Sequence, residues 1–370
     1  MELQLESIRK VVGGQVYLYE MSLALKPGLN VLLGPTTAGK TTLMRLMAGL
    51  EQPTSGRILL DGQDVTRLPV KKRNVAFVYQ QFINYPNLTV FENIASPLRI
   101  RGGLSKTALR ERVEATARMM RIHDLLDRLP AALSGGQQQR TAIARALVKE
   151  TGLLLMDEPL VNLDYKLREE LRIEMQNIFD SRDAIVVYST TEPVEALMLG
   201  GTVFVLDQGR LLQSGPVLEV YHHPDTQRVG EIFSDPPMNL LDARLEEGQL
   251  RLADGQRFPA TSHMAELLPG AYRIGVRPNH VTTAPTGPSS VAVPGVVELA
   301  EISGSETFLH TATAPGPDGS PGKLVAQLEG VHRFELGQPT TLYMDPDQLY
   351  LFDMEGKLAA APERIREEAV

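Results

Sequence analysis

Leu29-Asn30-Val31-Leu32-Leu33-Gly34-Pro35-Thr36-Thr37-Ala38-Gly39-Lys40-Thr41-Thr42, running on into Leu43-Met44-Arg45-Leu46-Met47-Ala48, is the stretch that decides the fold. An apolar run, a loop holding two glycines and a helical pattern follow one another, so the segment reads as strand, phosphate-cradling loop, helix. Gly34 and Gly39 let backbone N–H groups turn toward an anion, and the positive end of the helix dipole points at the same spot. Lys40 offers a compact cation to β- and γ-phosphates. Thr41 offers a hydroxyl to the Mg²⁺ that bridges them, Thr42 a donor on the α-phosphate side, and Pro35, Thr36, Thr37 and Ala38 complete the cradle. Chance would supply this pattern in a chain of this length with a probability on the order of one per cent. The flanking strand and helix lower that further, so nucleotide binding is the expectation.

At 370 residues the chain exceeds what one core usually organises, and two domains are expected. Its 37 Lys plus Arg against 45 Asp plus Glu give a formal charge of -8, and only 5% of residues are aromatic, which argues against a nucleic-acid surface. There is no cysteine, so disulfides and thiolate metal sites are excluded, in keeping with a reducing compartment. Met1-Glu2-Leu3-Gln4 does not read as a signal peptide. No apolar run approaches the roughly 20 residues that span a bilayer, so a membrane role is expected to work through a partner.

Working outward from the loop, Leu3 and Leu5, then Tyr17, Tyr19, Met21, Leu23 and Leu25, alternate at period two and predict antiparallel strands. Arg57 to Leu60 and Asn74 to Tyr79 read as strands, the second ending at Gln80-Gln81. From Thr89 to Leu129 the pattern is helical, with Leu109, Val113, Ala117 and Met120 on one face. A helical insert over about 88–150 is therefore expected inside an α/β domain. Leu153 to Asp157, Ala184 to Ser189 and Val203 to Asp207 read as buried parallel strands, and Asp207-Gln208-Gly209-Arg210 as a hairpin turn. Proline and polar residues at Ser234-Asp235-Pro236-Pro237 predict a boundary, giving domains over 1–234 and 235–355 with a tail over 356–370. In the second, Asn239 to Leu245, Tyr272 to Val276, Val291 to Leu299, Thr307 to Thr313, Lys323 to Leu328 and Thr340 to Met344 predict a small barrel of oligonucleotide-fold type. Lys71-Lys72-Arg73 reads as a solvated face or partner contact, and His222-His223-Pro224 as a helix-start turn.

Asp157 and Glu158 end their strand side by side before Pro159, and adjacent side chains point differently. Asp157 is placed to hold Mg²⁺ and Glu158 to orient or deprotonate the water attacking a γ-phosphate. Leu133-Ser134-Gly135-Gly136-Gln137 opens a second helical run, so Ser134 caps another phosphate-seeking helix N-terminus.

With Gln80, Ser134 to Gln137, Asp157-Glu158 and Asn162-Leu163-Asp164 in that order behind the phosphate loop, the chain resembles the ATP-binding subunits of ABC transporters along essentially its whole length. Its second domain, with Arg277-Pro278-Asn279-His280, is similar to the barrel appended to maltose- and sugar-type importers. The resemblance implies the P-loop α/β fold with antiparallel and helical subdomains, and ATP and Mg²⁺ as cofactors. It also implies a head-to-tail pair of nucleotide domains, with each ATP between one subunit's loop and the other's Ser134 to Gln137. Gln80 would touch Mg²⁺ and the water and report to the loop Phe82 to Leu88, and Asp164 would lie at the seam. Transmembrane permease subunits and an extracytoplasmic solute-binding protein are the implied partners, with the chain peripheral at the cytoplasmic side of the membrane. An ABC protein acting on nucleic acid is the competing class. Such proteins carry long coiled-coil inserts or two cassettes, and this sequence has neither.

Two departures stand out. Thr191, in Thr190-Thr191-Glu192-Pro193, occupies the place of the histidine that contacts the γ-phosphate in the family, and Val11-Val12 lacks the aromatic set under adenine, for which Tyr17 or Tyr19 is the candidate substitute. Threonine donates a hydrogen bond but carries no charge, so it stabilises developing charge less. The expectation is pairing with a second, unlike ATP-binding subunit, with a homodimer or a weakly hydrolysing regulatory subunit as the alternatives. Tyr79 to Pro86 and the Thr-Thr-Glu-Pro variant are most similar to importers for glycerol, glycerol 3-phosphate and related polyols.

Overall fold

A computed structural model describes residues 1–81, 83–161, 165–180, 183–316, 319 and 321–363. The chain forms two compact units, Met1–Val217 and Leu218–Val370.

In the first unit β1 (Leu3–Val12) and β2 (Gln15–Leu25) form an antiparallel hairpin in which Leu3 faces Leu25 and Leu5 faces Leu23, all four buried. Then come β3 (Gly28–Leu33), α1 (Lys40–Ala48), β4 (Ser55–Leu60) and the short β5 (Gln63–Asp64). β2, β1, β4 and β5 make one four-stranded sheet. The chain continues through β6 (Val75–Val78), α2 (Val90–Arg101), α3 (Lys106–Met119), α4 (Gly135–Leu147), β7 (Leu153–Asp157), α5 (Tyr165–Asp180), β8 (Ile185–Thr190), α6 (Pro193–Leu199), β9 (Thr202–Asp207) and β10 (Arg210–Pro216). Its central sheet runs β10-β9-β3-β8-β7-β6, parallel except for β10.

β7 and β8 are buried along their full length, and successive side chains feed opposite layers. Leu154, Met156, Val186 and Tyr188 join the core that includes α2 to α6 residues, while Leu153, Leu155, Ile185 and Val187 join the core under α1 and the antiparallel sheet. The helical insert is three helices, not one. α2 opens on a capping box between Thr89 and Glu92, and α3 on Ser105. Gly102 and Gly103, both with positive φ, separate them.

Arg73 departs from the solvated basic run expected of it. Only 9% exposed, it donates to the carbonyls of Met47 (2.8 Å) and Leu46 (3.3 Å) at the end of α1, and to those of Leu68 (2.9 Å) and Val65. A cation there satisfies carbonyls that the helix leaves orphaned and sits at the negative end of its dipole.

The second unit holds α7 (Val217–His222, opening at the seam) and α8 (Gln227–Ile232). Its strands are β11 (Asn239–Glu246), β12 (Gln249–Leu252), β13 (Arg257–Pro259), β14 (Gly270–Val276), β15 (Val281–Thr282), β16 (Val291–Ile302), β17 (Glu306–Thr313), β18 (Gly322–Glu329), β19 (Pro339–Met344), β20 (Tyr350–Phe352) and β21 (Leu358–Ala360). They pair antiparallel in two sheets, β13-β12-β11-β14-β20-β21 and β15-β19-β16-β17-β18, around one core, which gives the barrel-like all-β domain expected.

The expected boundary at Ser234 to Pro237 falls inside this unit. Arg277 donates to the carbonyls of Phe233 (3.0 Å) and Tyr221 (2.6 Å) and stacks 3.7 Å over the Tyr221 ring, and the Leu358 amide donates to the Asp225 carbonyl. These contacts tie α7 and α8 to the strands. His222 ends α7, and α8 begins only after its Thr226 cap, so the histidine pair does not start a helix.

Arg73→Met should lower the stability of the first unit by about 2–4 kcal/mol, because it leaves several buried carbonyls without a donor. Urea denaturation followed by circular dichroism measures it, with Lys72→Met as the exposed control expected to change little.

Candidate nucleotide site

Two close approaches shape the phosphate loop. A Cβ on Gly34 would lie 2.1 Å from the Leu206 carbonyl oxygen, and one on Gly39, whose φ is +98°, would lie 2.6 Å from Leu18 Cδ2. Only glycine lets the loop lie this close to β9 and β2. Gly39 is also the N-cap of α1 and supplies no side-chain cap, so the helix presents its first amides uncapped by any side chain.

Lys40 is buried, and its ammonium donates to the Gly34 (2.7 Å) and Pro35 (3.1 Å) carbonyls while pairing with Glu158 Oε1 at 3.3 Å. Its three donors are thus engaged from one side of the loop. Burial lowers the Lys40 pKa, with the Glu158 and Asp157 carboxylates pulling the other way.

Thr41 Oγ1 donates to Asp157 Oδ2 at 2.7 Å. The other oxygen, Oδ1, accepts from Ser189 Oγ at 2.7 Å, and Ser189 Oγ in turn accepts from the Glu158 amide at 3.0 Å. Glu158 has a left-handed backbone, φ +45°, which is costly for a residue with a side chain and is held here by that amide bond. Its side chain reaches Lys40 with one oxygen and accepts from Gln80 Nε2 at 3.0 Å with the other. Lys40, Thr41, Gln80, Asp157 and Glu158 therefore converge from three separate stretches of the sequence, the start of α1, the segment after β6 and the end of β7. Ser189, which sequence reading passed over as part of an apolar strand, is the buried hydroxyl joining the two carboxylate residues.

An open cleft of about 640 Å³ is lined by Thr36 to Thr42, Gln80 and Glu158 and by Tyr17, Tyr19 and Arg210 among others. Both tyrosines are exposed, but Arg210 stacks on the Tyr19 ring at 3.6 Å, which leaves Tyr17 as the uncovered ring. Val12 is half exposed and is not among the lining residues. Thr191 follows the end of β8 and borders a second, smaller pocket together with Glu158, Val161, Arg168 and Glu192, and Glu158 lines both this pocket and the cleft. Behind it Tyr188 donates to Glu195 Oε1 at 2.6 Å in full burial, and burial raises both of their pKa values.

Ser134 and Gln137 are joined to each other in a capping box at the start of α4, with Ser134 and Gly135 exposed and Gly136 partly so. None of the four residues Ser134 to Gln137 lines the cleft. Asp164, with Asn162 and Leu163, lies outside the described residues, as does Phe82.

The donor set fits a nucleoside triphosphate with a hard cation. The Thr41 hydroxyl and the Asp157 carboxylate offer oxygen ligands within hydrogen-bond reach of each other, as magnesium requires, and a buried lysine beside an uncapped helix start suits phosphate.

Comparison with known proteins agrees. Residues 18–161 match the family described as ABC transporter, and residues 274–352 match the TOBE domain. The xylose/arabinose import ATP-binding protein XacK of Haloferax volcanii is 37% identical over 361 residues, spanning 95% of this chain and 94% of XacK. The sn-glycerol-3-phosphate import ATP-binding protein UgpC of Pectobacterium atrosepticum is 36% identical, spanning 96% and 98%. The maltose/maltodextrin import ATP-binding protein MalK of Yersinia pestis is 34% identical, spanning 95% of each. Among solved structures, the dimeric post-hydrolysis state of the ATP-binding cassette MJ0796 bound to ADP and Pi superposes with a TM-score of 0.54 and 28% identity, covering 58% of this chain and 98% of that one. With a phosphate loop, a paired-carboxylate strand end and relatives along nearly its full length, this chain belongs to the ABC transporter family as an ATP-binding ATPase protein carrying a TOBE domain.

Proposed function

We propose that this chain powers the import of a small polar solute of the carbohydrate or polyol class, with glycerol or glycerol 3-phosphate the narrower candidates. It would do so as the peripheral ATPase at the cytoplasmic face of a membrane. The observation that carries the reading is the convergence of Lys40, Thr41, Gln80, Asp157 and Glu158 on one cleft in a chain whose relatives bear the names of sugar and glycerol-phosphate import proteins. Among the described residues no helix is long and apolar enough to cross a membrane, so passage of the solute falls to permease subunits, with an extracytoplasmic solute-binding protein delivering to them.

In this reading Thr41, Asp157 and Gln80 hold Mg²⁺, which neutralises charge on the β- and γ-phosphates when bound. Lys40 exchanges its carbonyl and Glu158 partners for phosphate oxygens. That exchange frees Glu158 to orient a water and accept its proton, while Ser189 keeps both carboxylate residues in place. Tyr17 stacks on the base. Ser134 to Gln137 and Asp164 serve a second nucleotide domain's site, since Ser134 to Gln137 sit away from this chain's own cleft. Thr191 brings no positive charge to the pocket beside Glu158, which supports pairing with an unlike subunit that carries the stronger site.

Glu158→Gln should retain Mg-ATP binding in calorimetry while turnover falls by about 10² to 10⁴-fold, and Lys40→Ala should lose binding itself. Thr191→His should raise the ATPase rate of the chain assembled with its partner by roughly tenfold. Full turnover by the isolated chain, unchanged by that substitution, would instead establish a self-sufficient homodimer. Tyr17→Ala should raise KM for ATP about five- to tenfold, a base-stacking contribution of about 1 kcal/mol, and Tyr19→Ala less, because Arg210 already covers that ring.

A further inference from the structure

In the second unit, strand register builds a row of like charges. Arg244 on β11 lies directly opposite Arg251 on β12, and Arg251 lies directly opposite Arg257 on β13. Directly opposed residues share a face with their Cβ atoms about 5 Å apart, and like charges so placed repel. On β14, Arg273 lies opposite Asp242, two residues from Arg244, and so stands on the same face. Two carboxylates also occur there. Glu246 pairs with Arg244 at 2.8 Å, and Asp242 pairs with Arg273 at 3.3 Å, while Arg273 also donates to Gln227 Oε1 at 3.0 Å. Among the described residues no carboxylate lies within ion-pairing distance of Arg251 or Arg257. Arg244, Arg251 and Arg273 line an open cavity of about 700 Å³ together with Asp242, Leu252, Gly255 and Met354, and Arg257 lies one strand beyond this lining.

We infer that this arginine-lined cavity is a binding site for a small phosphate-bearing ligand, a phosphomonoester of sugar or polyol size. Guanidinium forks match phosphate oxygens in pairs, and converging forks satisfy a dianion better than water does. The cavity volume lies within the roughly 300–1,000 Å³ that small molecules occupy. Nucleic acid is the wrong occupant for a chain of net charge -8 with 5% aromatic residues. A bound dianion would turn the repulsion along the row into attraction, coupling ligand occupancy to the stability of β11, β12 and β13.

The test is calorimetric titration of the full chain carrying Lys40→Ala, so that the phosphate loop takes no part, and of the wild-type chain saturated with Mg-ATP. Glycerol 3-phosphate is the probe, with inorganic phosphate and glycerol in parallel arms. Glycerol 3-phosphate should bind in both settings and glycerol should not. Arg244→Gln with Arg251→Gln should weaken it at least about tenfold, as loss of charge-assisted hydrogen bonds predicts. Arg333→Gln, which removes an exposed arginine elsewhere in the unit, should leave the affinity unchanged. Inorganic phosphate binding as tightly as the ester would still support the site and assign it to free phosphate. Without ligand, Arg251→Gln should hold or raise the thermal midpoint. The inference is overturned if neither phosphate probe binds, if Arg333→Gln weakens binding equally, if only an acidic polypeptide such as polyglutamate binds, or if the midpoint falls.

Discussion

The parallel register among β7, β8 and β3 is the constraint on which the site depends. Asp157 pairs with Ser189 across one strand boundary and Leu33 with Thr190 across the next, so the carboxyl ends of three strands finish level. From that edge the chain leaves as the phosphate loop, as the Glu158 turn and as the Thr191 turn. A slip of one residue between β7 and β8 would send Asp157 to the opposite face of the sheet, and Thr41 would lose its partner. The buried apolar run of each strand prevents the slip, because every alternate side chain is committed to one of the two cores.

Local pattern is enough to read most of this edge. Continuous apolar runs mark buried parallel strands, and the glycine spacing of the loop follows from the approach of the Leu206 carbonyl and of Leu18. Ser189 is different. It is one hydroxyl inside an apolar strand, and its partners are thirty residues away in sequence, so only register reveals it. Arg73 was hidden for a related reason, because two lysines beside it make a basic run that composition reads as solvated, whereas the end of α1 claims its guanidinium. The strands of the second unit that escaped the sequence, β12, β13, β15, β20 and β21, are two to four residues long and too short to show a period. The compact units divide after Val217, ahead of the linker-like Pro236 and Pro237, because Arg277, forty residues on, draws the preceding helices into the second unit.

The same residue type therefore carries opposite meanings in the two units. Arg73 is a buried cation surrounded by carbonyl oxygens and is a structural element of the first unit. Arg251 and Arg257 face solvent with no carboxylate beside them among the described residues, opposed across a ladder that would be more stable with other residues. Composition counts all three alike, and register separates them.

Charge balance at the nucleotide cleft gives Thr191 its importance. Lys40 stands directly against Asp157 and Glu158, with Arg210 in the lining of the same cleft. In the function proposed above a triphosphate enters with a cation, for which the oxygens of Thr41 and Asp157 are the proposed ligands. In the proposed function, a histidine at position 191 would add a charge for the γ-phosphate as bond breaking shifts charge outward. Threonine leaves Lys40 and the cation to do this unaided, with Lys40 still drawn toward Glu158. In the proposed function, the carboxylate assigned to act on water is thus also the group that pairs with the lysine.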